Sequence, residues 1–469
     1  MAVSNKYDLI ILGTGAAAFA AALKASELDV KVAMVERGTI GGTCVNVGCV
    51  PSNNLLRAGE IIYYSKHPNY DAISLENGKF SLKEIVEKKD ELVLSLRNAK
   101  YVNVLDSIPN VTLIKGSASF VSKNEVKVNG KQLYGKKFII ATGSSPNVPP
   151  IQGIDDVGFL TNVEALSLKD LPDSMIVLGG GPLGLEFAQM YAHFGTKVTL
   201  LQRSSRIAPR EEPEISEALK QYLEEEGIKI HTNAQVSSVR KKGDVKIVRF
   251  NVNGDARELE AEQLLVATGR KANTTELHLE NAGVRVRQDG AVVVNSEMRT
   301  SSPHIWAGGD VIGMPMLETI AAKEGAIAAE NALKNAGKKI DFLSVPHAIF
   351  TSPQVASVGL TEEQMMEKMK VCSCRTLAMS DVPKAKVIHE ERGLIKMAVH
   401  PKTGRIFGVH ILAELAADMI HEAVLAVKYK LTVDDIIDTV HVFPTMTEAI
   451  KLVATAFKKD VSKLSCCAE

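Results

Sequence analysis

The sequence has few aromatic residues, few cysteines and no excess of charge of either sign. Aromatic residues make up 5% of the 469 positions, with a single Trp, and six positions are Cys. Six cysteines are too few for a disulfide scaffold in a chain of this length. The 55 basic and 55 acidic residues cancel, so the composition gives no sign of the basic surface that a nucleic-acid partner requires.

Long hydrophobic runs are also missing from the sequence. The longest uncharged apolar run, residues 9–23, is interrupted by two glycines and is shorter than the ~20 residues that a membrane span needs. The first residues show neither the basic segment nor the cleavage site of a secretory signal. We therefore expect a soluble, cytoplasmic protein.

What the sequence does contain is the composition of a globular α/β protein. Apolar residues make up 45% and charged residues 23% of the chain, and 34 positions are Gly. At ~100–200 residues per domain, the length predicts about two to four domains.

The first glycine-rich segment stands between two apolar segments that are typical of buried strands. In chain order, the pattern consists of a strand at 7–12, Gly13, Gly15 and Ala18 at the start of an Ala-rich helix, a strand at 30–35, and Glu36. The glycines permit a tight turn and let a pyrophosphate approach the helix N-terminus, and the acid accepts a hydrogen bond from a ribose hydroxyl. This order favours a dinucleotide site over a glycine turn that serves packing alone.

The same pattern recurs later in the chain. It consists of a strand at 175–178, a turn with Gly179, Gly181 and Gly184, a helix at 185–194 and a strand at 197–201. The step of 23 residues that leads from Gly13 to Glu36 here leads from Gly179 to Gln202, which is followed by Arg203 and Arg206. Arginine pairs with a 2′-phosphate that an acid would repel, so this site is predicted to prefer NADPH to NADH. The alternative is that both arginines are solvated loop charges.

Further segments indicate the domain boundaries. Strands that end in Ala-Thr-Gly, with Gly143 and Gly269 as the final residues, bracket the second pattern, and another strand ends near Asp310. The first domain is therefore expected to be interrupted by the second. The expected domains are a first of residues 1–149 and 270–340, a second of residues 150–269, and a third of residues 341–469 that contains a hairpin of strands 394–399 and 406–412.

Cys44 and Cys49 lie just after the first acid. Pro51 suits the start of a helix, so Cys49 is expected at a helix N-terminus, where the helix dipole stabilises a thiolate. The separation of the two cysteines allows a disulfide, which would store two electrons beside the first nucleotide site. The alternative, two buried structural cysteines, accounts less well for this context.

Together these motifs resemble those of the flavin-dependent pyridine nucleotide–disulfide oxidoreductases over essentially the whole chain. The resemblance rests on Gly13-x-Gly15, Gly41-Gly42-Thr43-Cys44-x4-Cys49-x-Pro51-Ser52, Gly179-x-Gly181-x-x-Gly184, and the segments 267–270 and 307–310. It implies a glutathione-reductase-like α/β fold, with two Rossmann-like dinucleotide-binding domains for FAD and NADPH and an α+β dimerisation domain at 341–469.

The resemblance also implies roles for individual residues. The implied cofactor contacts are Gly13, Gly15, Ala18, Glu36, Gly38, Thr43, Ala118, Gly143 and Asp310 toward FAD, and Gly179, Gly181, Gly184, Arg203, Arg206 and Gly269 around NADPH. A hydride from NADPH would pass to the flavin, which would reduce a Cys44–Cys49 disulfide, with Cys49 against the flavin and Cys44 toward the substrate. The third domain would form a homodimer and complete the active site of the partner subunit.

Cys466 and Cys467 stand together in a terminal segment that closely resembles the ends of the mercuric reductases of this family. Adjacent thiolates on a chain end suit soft metal ions. The resemblance implies that this pair receives Hg(II) as a thiol complex and passes it to Cys44 and Cys49 of the partner subunit, where it is reduced to Hg(0). The alternative is a disordered tail with a chance pair of cysteines. A lipid anchor is rejected because Glu469 is a poor last residue for that motif and no polybasic stretch precedes it.

Three positions depart from the usual mercuric reductase pattern. Asn53 stands where a Lys is usual, and Pro182 and Phe443 stand where tyrosines are usual. In addition, the segment 315–317 resembles dihydrolipoamide dehydrogenase, which is the main alternative.

The alternatives differ in the proton chemistry that they need. Dithiol–disulfide exchange needs a general base, and Phe443 occupies the position of the family histidine, with His441 as the nearest substitute. Thr445 and Glu448 predict a capping box at the start of the last helix. Metal reduction needs no imidazole, which favours Hg(II) as the substrate. A flavoprotein that binds soft metals without turnover is a third possibility.

Cys372 and Cys374 form another closely spaced pair. Their spacing would place both sulfurs on one face of a strand. The simpler interpretation is a chance pair on the surface of the third domain, and the proposed mechanism does not use it.

Overall fold

The computed structural model describes residues 5–70, 73, 75 and 79–465 and divides into two compact units. The first unit comprises the residues up to 52, residues 86–147 and residues 269–340. The second comprises residues 53–85, residues 148–268 and the residues from 341 onward. Within the described ranges, no helix combines the length and the apolar character needed to cross a membrane.

The first unit is built on a seven-stranded sheet. Its central strands are parallel, and an antiparallel extension follows at one side. In spatial order the strands are Val111–Lys115, Val32–Glu36, Lys6–Leu12, Lys131–Ile140, Glu125–Val128 and Ala118–Ser122, with Ile305–Ala307 parallel to Lys131–Ile140. A two-stranded antiparallel sheet, Ser144–Pro146 with Arg270–Ala272, completes the strands described for this unit.

The strand Lys6–Leu12 lies at the centre of the large sheet and is buried along most of its length. Its near-continuous apolar sequence is typical of a parallel strand that is covered on both faces. The helices Ala16–Ser26 and Glu318–Lys334 pack closely, because a Cβ atom on Gly325 would lie 1.9 Å from the carbonyl oxygen of Ala17. The remaining helices of this unit are Gly42–Val47 and Asn103–Asp106, the π-helical turn Asn98–Val102, and the 3₁₀ turns Leu279–Ala282 and Asp310–Ile312.

The second unit contains three sheets. Four parallel strands lie in the order Lys229–His231, Lys197–Leu201, Ser174–Leu178 and Gln263–Val266. Three antiparallel strands follow the chain as Ala234–Lys242, Val245–Val252 and Asp255–Ala261. The third sheet is antiparallel, in the order His347–Ile349, Gln354–Gly359, Ile406–Ala413, Leu394–Val399 and Ser373–Ala378.

The hairpin predicted in the third domain is confirmed, since Leu394–Val399 pairs with Ile406–Ala413. The α-helices of this unit are Ile154–Val157, Asn162–Ala165, Pro182–Phe194, Pro213–Glu225, Glu362–Met369, Pro383–Val387, Ala416–Tyr429, Val433–Asp438 and Glu448–Thr455, and its 3₁₀ turns are Phe342–Ser344, Met379–Asp381 and Val461–Lys463. Two helices carry the chain between the units, Cys49–Lys66 and Leu82–Arg97.

Candidate active site

The first glycine-rich turn has close backbone contacts on one side and open space on the other. A Cβ atom on Gly13, whose φ is +115°, would lie 2.3 Å from the carbonyl oxygen of Ala141. A Cβ atom on Gly15 would meet only the Cα of Gly42, at 3.8 Å. Gly15 is also the N-cap of the helix Ala16–Ser26 and makes no side-chain cap. The first N–H groups of this helix are therefore suited to bind an anion such as a pyrophosphate.

Glu36 ends the second strand of the pattern and is fixed by two hydrogen bonds. One carboxylate oxygen accepts from Oγ1 of Thr14 at 2.6 Å, and the other accepts from the N–H of Gly38 at 2.7 Å. Glu36 and Ala118 line the same cavity, which has a volume of about 390 Å³. This volume lies within the range of small-molecule sites, so the residues present fit the nucleoside end of a dinucleotide.

A polar cluster in the same unit joins Ser144, Arg270 and Asp310. Ser144 Oγ donates to Oδ2 of Asp310 at 2.5 Å, and Arg270 Nε donates to Ser144 Oγ at 2.7 Å. Burial lowers the pKa of Arg270 below its usual value, while the nearby Asp310 carboxylate opposes that effect. The sequence predicted Asp310 as a cofactor contact but not its hydrogen bond to Ser144. No local motif connects Ser144, at the start of the strand Ser144–Pro146, with Asp310, which follows the strand Ile305–Ala307.

The second glycine turn, which lies in the other unit, repeats the geometry of the first. A Cβ atom on Gly179, with φ +111°, would lie 2.4 Å from the carbonyl oxygen of Ala267, whereas one on Gly181 would meet no atom within 4 Å. Gly181 is the uncapped N-cap of the helix Pro182–Phe194. A Cβ atom on Gly184 would lie 1.9 Å from the Gly179 carbonyl oxygen. Packing thus requires Gly179 and Gly184, while Gly181 leaves the helix N-terminus open.

The side chains after the strand Lys197–Leu201 differ from those of the first site. Gln202 Oε1 accepts from the N–H of Gly180 at 3.0 Å, so this amide stabilises the glycine turn itself. Arg203 is exposed, and Arg206 is half-buried and donates to a backbone carbonyl of its own loop at 3.3 Å. Both arginines thus lie on the loop that follows the strand, and Arg203 is directed to solvent.

The remaining predicted cofactor contacts occupy turns and a short helix. Gly143 and Gly269 have φ values of +68° and +108°, and a Cβ atom on either would meet no atom within 4 Å. Thr43 is exposed on the helix Gly42–Val47. Ala18 is fully buried in the helix Ala16–Ser26, so its methyl group contributes to packing.

Cys44 and Cys49 belong to two consecutive helices. Cys44 lies in Gly42–Val47, and Cys49 is the first residue of Cys49–Lys66, which confirms the predicted helix start. Neither forms a disulfide in the structure, and their side chains are hydrogen-bonded to each other. That hydrogen bond, followed by burial, raises the pKa of the Cys44 thiol. The pair is therefore described in its dithiol form, and the disulfide form stays a prediction.

A carboxylate that sequence reasoning missed lies beside Cys44. Glu318 begins the helix Glu318–Lys334, and its side chain is hydrogen-bonded to the Cys44 thiol. Burial raises the pKa of Glu318, the Cys44 hydrogen bond opposes this, and Asp310 adds to it. Burial, with contributions from Glu318 and the two cysteines, also raises the pKa of Tyr101 to about 12. No short motif marks Glu318, because it lies far from the cysteines in sequence.

The segment that leads into the last helix differs from the prediction at one point. The helix is Glu448–Thr455, and its N-cap, Thr447, makes no side-chain hydrogen bond to it. The hydroxyl of Thr445 donates instead to the carbonyl oxygen of Val442 at 2.9 Å. The predicted capping box of Thr445 and Glu448 is therefore wrong, because Glu448 is the first residue of the helix and Thr447, not Thr445, is its N-cap.

The same segment contains an imidazole–carboxylate pair. His441 Nε2 lies 2.9 Å from Oε1 of Glu422. Phe443 is 47% exposed, and its neighbours Val440 and Val442 are 88% and 76% exposed. The segment thus combines a hydrogen-bonded histidine with an exposed apolar surface.

The second predicted metal-binding pair, Cys466 and Cys467, lies outside the described residues. Among the residues that are described, no group of three or more His, Cys, Asp or Glu side chains is arranged to hold a metal ion. Any metal at Cys44 and Cys49 would therefore have two sulfur ligands from this part of the chain.

Two open glycine turns and a thiol pair at a helix start define an oxidoreductase that uses dinucleotides and cysteine chemistry. The chain belongs to the pyridine nucleotide-disulphide oxidoreductase family, whose model matches residues 7–325, while the model of the family's dimerisation domain matches residues 345–454. The family and fold class predicted from the motifs are therefore confirmed.

Several similar proteins are named mercuric reductases. One from Lysinibacillus sphaericus is 45% identical over 99% of this chain and 85% of its own length. One from Streptomyces lividans is 42% identical over 98% of both chains.

A solved structure of the HOCl-induced flavoprotein disulfide reductase RclA from Escherichia coli is also similar, with a TM-score of 0.85 and 31% identity. The match covers 96% of this chain and 100% of that one.

Proposed function

We propose that this protein is an NADPH-dependent, FAD-containing enzyme that reduces Hg(II) to Hg(0) at Cys44 and Cys49. The observation that carries the proposal is the contact between two thiols at the start of a helix, in a chain that is up to 45% identical to mercuric reductases. Two thiolates are suitable ligands for a soft metal ion. Binding of Hg(II) displaces one proton from each thiol, so the pair that holds the metal is electrically neutral.

The residues of the first unit fit FAD. The open face of Gly15 and the uncapped helix behind it suit the pyrophosphate, and Glu36 borders the cavity in which the ribose would lie. The Ser144–Arg270–Asp310 cluster supplies donors and a carboxylate for further polar groups of the cofactor. When bound, FAD would supply the two electrons, taken from NADPH, that reduce Hg(II) held by the Cys44 and Cys49 thiolates to Hg(0). The proposed FAD domain consists of residues 1–149 and 270–340.

NADPH is proposed to bind at the second glycine turn, within residues 150–269. The uncapped N-terminus at Gly181 would accept the pyrophosphate. Arg203 and Arg206 stand where the first site has an acid, and a guanidinium pairs with a 2′-phosphate through charge-assisted hydrogen bonds. The exposure of Arg203 leaves its guanidinium able to make that contact.

Homodimer formation through residues 341–469 is also part of the proposal. The match to the family's dimerisation domain supports a homodimer. A set of exposed apolar side chains supports it as well. These side chains are Val440, Val442, Phe443, Leu425 and Tyr429. An association of two chains would remove this apolar surface from water.

Cys466 and Cys467 are proposed to receive Hg(II) as a thiol complex and to transfer it to the Cys44–Cys49 pair of the other subunit. Each transfer exchanges one sulfur ligand for another, so the metal is never released as a free ion. Mixing a Cys44→Ser/Cys49→Ser chain with a Cys466→Ser/Cys467→Ser chain tests this with a bulky dithiol complex of Hg(II). The first homodimer should be inactive and the second slow, whereas each intact Cys44–Cys49 pair in a mixed dimer should turn over faster than in the second homodimer. Intact pairs that turn over no faster in mixed dimers than in the second homodimer would exclude transfer between subunits.

The test of the whole proposal measures NADPH oxidation by the purified flavoprotein with an Hg(II)–thiol complex, a dihydrolipoamide-type disulfide and glutathione disulfide. We expect mercury-dependent oxidation with volatile Hg(0) as the product. If NADPH is oxidised only with a disulfide substrate, the protein is a disulfide oxidoreductase and not a mercury reductase. If mercury binds without NADPH oxidation, the protein is a metal-binding flavoprotein without turnover. The Cys44→Ser variant should lose mercury turnover, whereas the Cys372→Ser/Cys374→Ser variant serves as a matched control that keeps it.

One observation favours a second candidate, a dithiol–disulfide oxidoreductase. The hydrogen bond between His441 and Glu422 is an arrangement that supports a general base. In that case, His441→Gln would lower disulfide turnover by roughly 10²-fold, the usual contribution of a positioned base. Under the mercury proposal, the same variant leaves Hg(II) reduction nearly unchanged.

A further inference from the structure

Cys372 and Cys374 form a second sulfur pair, which the proposed mechanism does not use. The two residues are joined by a disulfide in the structure. Cys374 lies in the strand Ser373–Ala378, at the edge of the five-stranded sheet, and pairs with Ala398 of the neighbouring strand. Because Cys372 and Cys374 are two residues apart, both sulfurs lie on one face of the chain.

A third sulfur atom lies on the same face. The Sδ atom of Met365, in the helix Glu362–Met369, is 3.8 Å from the Sγ atom of Cys372. Met365 is fully buried, and both cysteines pack against the small apolar cluster that it forms with Leu360 and Ala398. The helix is fixed at its start by a capping box between Thr361 and Gln364, so the thioether is held in place.

A structural role explains this disulfide poorly. A bridge over two residues closes a very short loop, and the stabilisation that a disulfide gives through the unfolded chain is smallest for short loops. Both cysteines are half-buried rather than part of the fully buried core.

We propose that Cys372, Cys374 and Met365 form a redox-controlled site for one Cu(I) ion. Two thiolates and a thioether are the ligands that this soft ion prefers. In the disulfide form the site is closed, because the two cysteine sulfurs are bonded to each other. An external dithiol opens it by thiol–disulfide exchange: the dithiol becomes a disulfide, and the two cysteines gain two electrons and two protons. Cu(I) then replaces the two thiol protons and binds both sulfurs.

The experiment isolates this pair in the full-length, flavin-containing protein. Replacing Cys44, Cys49, Cys466 and Cys467 by Ser leaves Cys372 and Cys374 as the remaining two of the six cysteines. Copper uptake is measured anaerobically by competition with a colorimetric Cu(I) chelator, before and after reduction with a dithiol that is then removed. We expect one Cu(I) per chain after reduction and none before it, with no free thiols in the unreduced protein.

Two further variants in the same background test the ligands. Cys372→Ser/Cys374→Ser should abolish copper uptake. Met365→Leu, which nearly conserves volume, should weaken the apparent affinity by roughly tenfold or more. Met366→Leu is the matched control, since Met366 is 47% exposed on the same helix, and should bind Cu(I) as the background protein does. Thermal unfolding confirms that each variant is folded.

Two results would overturn the proposal. The first is that the reduced background protein takes up no more Cu(I) than the reduced Cys372→Ser/Cys374→Ser variant. The second is equal affinity of the Met365→Leu and Met366→Leu proteins, which would remove the thioether from the site. Neither result depends on mercury turnover, so the copper site and the proposed enzyme function are tested separately.

Discussion

The thiol of Cys44 is hydrogen-bonded to the carboxylate of Glu318, the first residue of the helix Glu318–Lys334. This places a carboxyl group beside a cysteine that is proposed to bind metal as a thiolate. The mercuric reductase pattern that the sequence resembles has a lysine at the position of Asn53. A carboxyl group that the motif alone does not predict thus lies beside the pair. We expect this group to affect how readily Cys44 loses its proton.

The first prediction concerns the Glu318→Gln variant. Glu318 is one of the groups that raise the pKa of Cys44, after the Cys49 hydrogen bond and burial. Removing its charge should therefore lower that pKa, so Cys44 becomes a thiolate at a lower pH than in the parent protein. The measurement is the pH profile of iodoacetamide alkylation of the peptide with Cys44 in NADPH-reduced enzyme. Glu330→Gln, on the same helix, is the control, because Glu330 is paired with Lys338. A profile unchanged by Glu318→Gln would show that the carboxylate does not act on the thiol.

The second prediction separates packing from nucleotide binding at the second glycine turn. Gly184→Ala would place a Cβ atom 1.9 Å from the carbonyl oxygen of Gly179, so we expect destabilisation by about 1–3 kcal/mol. Gly181→Ala meets open space and should leave thermal stability nearly unchanged while raising KM for NADPH. Thermal unfolding and steady-state kinetics measure the two effects. Equal losses of stability in both variants would contradict this assignment.

The third prediction concerns selection of the nucleotide. Arg203→Ala should raise KM for NADPH by roughly tenfold or more, since a hydrogen bond to a charged group contributes about 1.5–3 kcal/mol. KM for NADH should be unchanged, because NADH lacks the 2′-phosphate, and it serves as the internal control. If the ratio of KM for NADPH to KM for NADH is the same in Arg203→Ala as in the parent protein, the 2′-phosphate does not bind at Arg203.

The fourth prediction concerns the terminal cysteines. Cys466→Ala/Cys467→Ala should slow turnover most when Hg(II) is supplied as a bulky dithiol complex, because the metal must then reach the inner pair without an intermediate ligand. Reduction of the flavin by NADPH should be preserved, and stopped-flow absorbance measures it. Identical kinetics of the variant and the parent enzyme with every mercury complex would remove the terminal pair from the mechanism.

Much of the candidate site was predictable from local sequence. The strands beside Gly13 and Gly179, the helix start at Cys49 and the hairpin of the third domain are present as predicted. These features depend on residues close in the chain, where glycine spacing and apolar periodicity directly determine backbone conformation. The capping box at Thr445 and Glu448 is wrong for an equally local reason, since the helix begins at Glu448 and Thr447 is its N-cap.

The sequence by itself determined the two nucleotide turns, the position of the cysteine pair at a helix N-terminus and the family to which the chain belongs. Only the tertiary structure decided which side chains from separate elements meet: Glu318 beside Cys44, Ser144 on Asp310, and Met365 beside Cys372. Each of these contacts joins separate elements whose distance depends on how strands and helices pack, and no short pattern encodes that distance. The groups that lie beside Cys44 and Cys372 are therefore properties of the fold, whereas the two glycine turns follow from the order of residues along the chain.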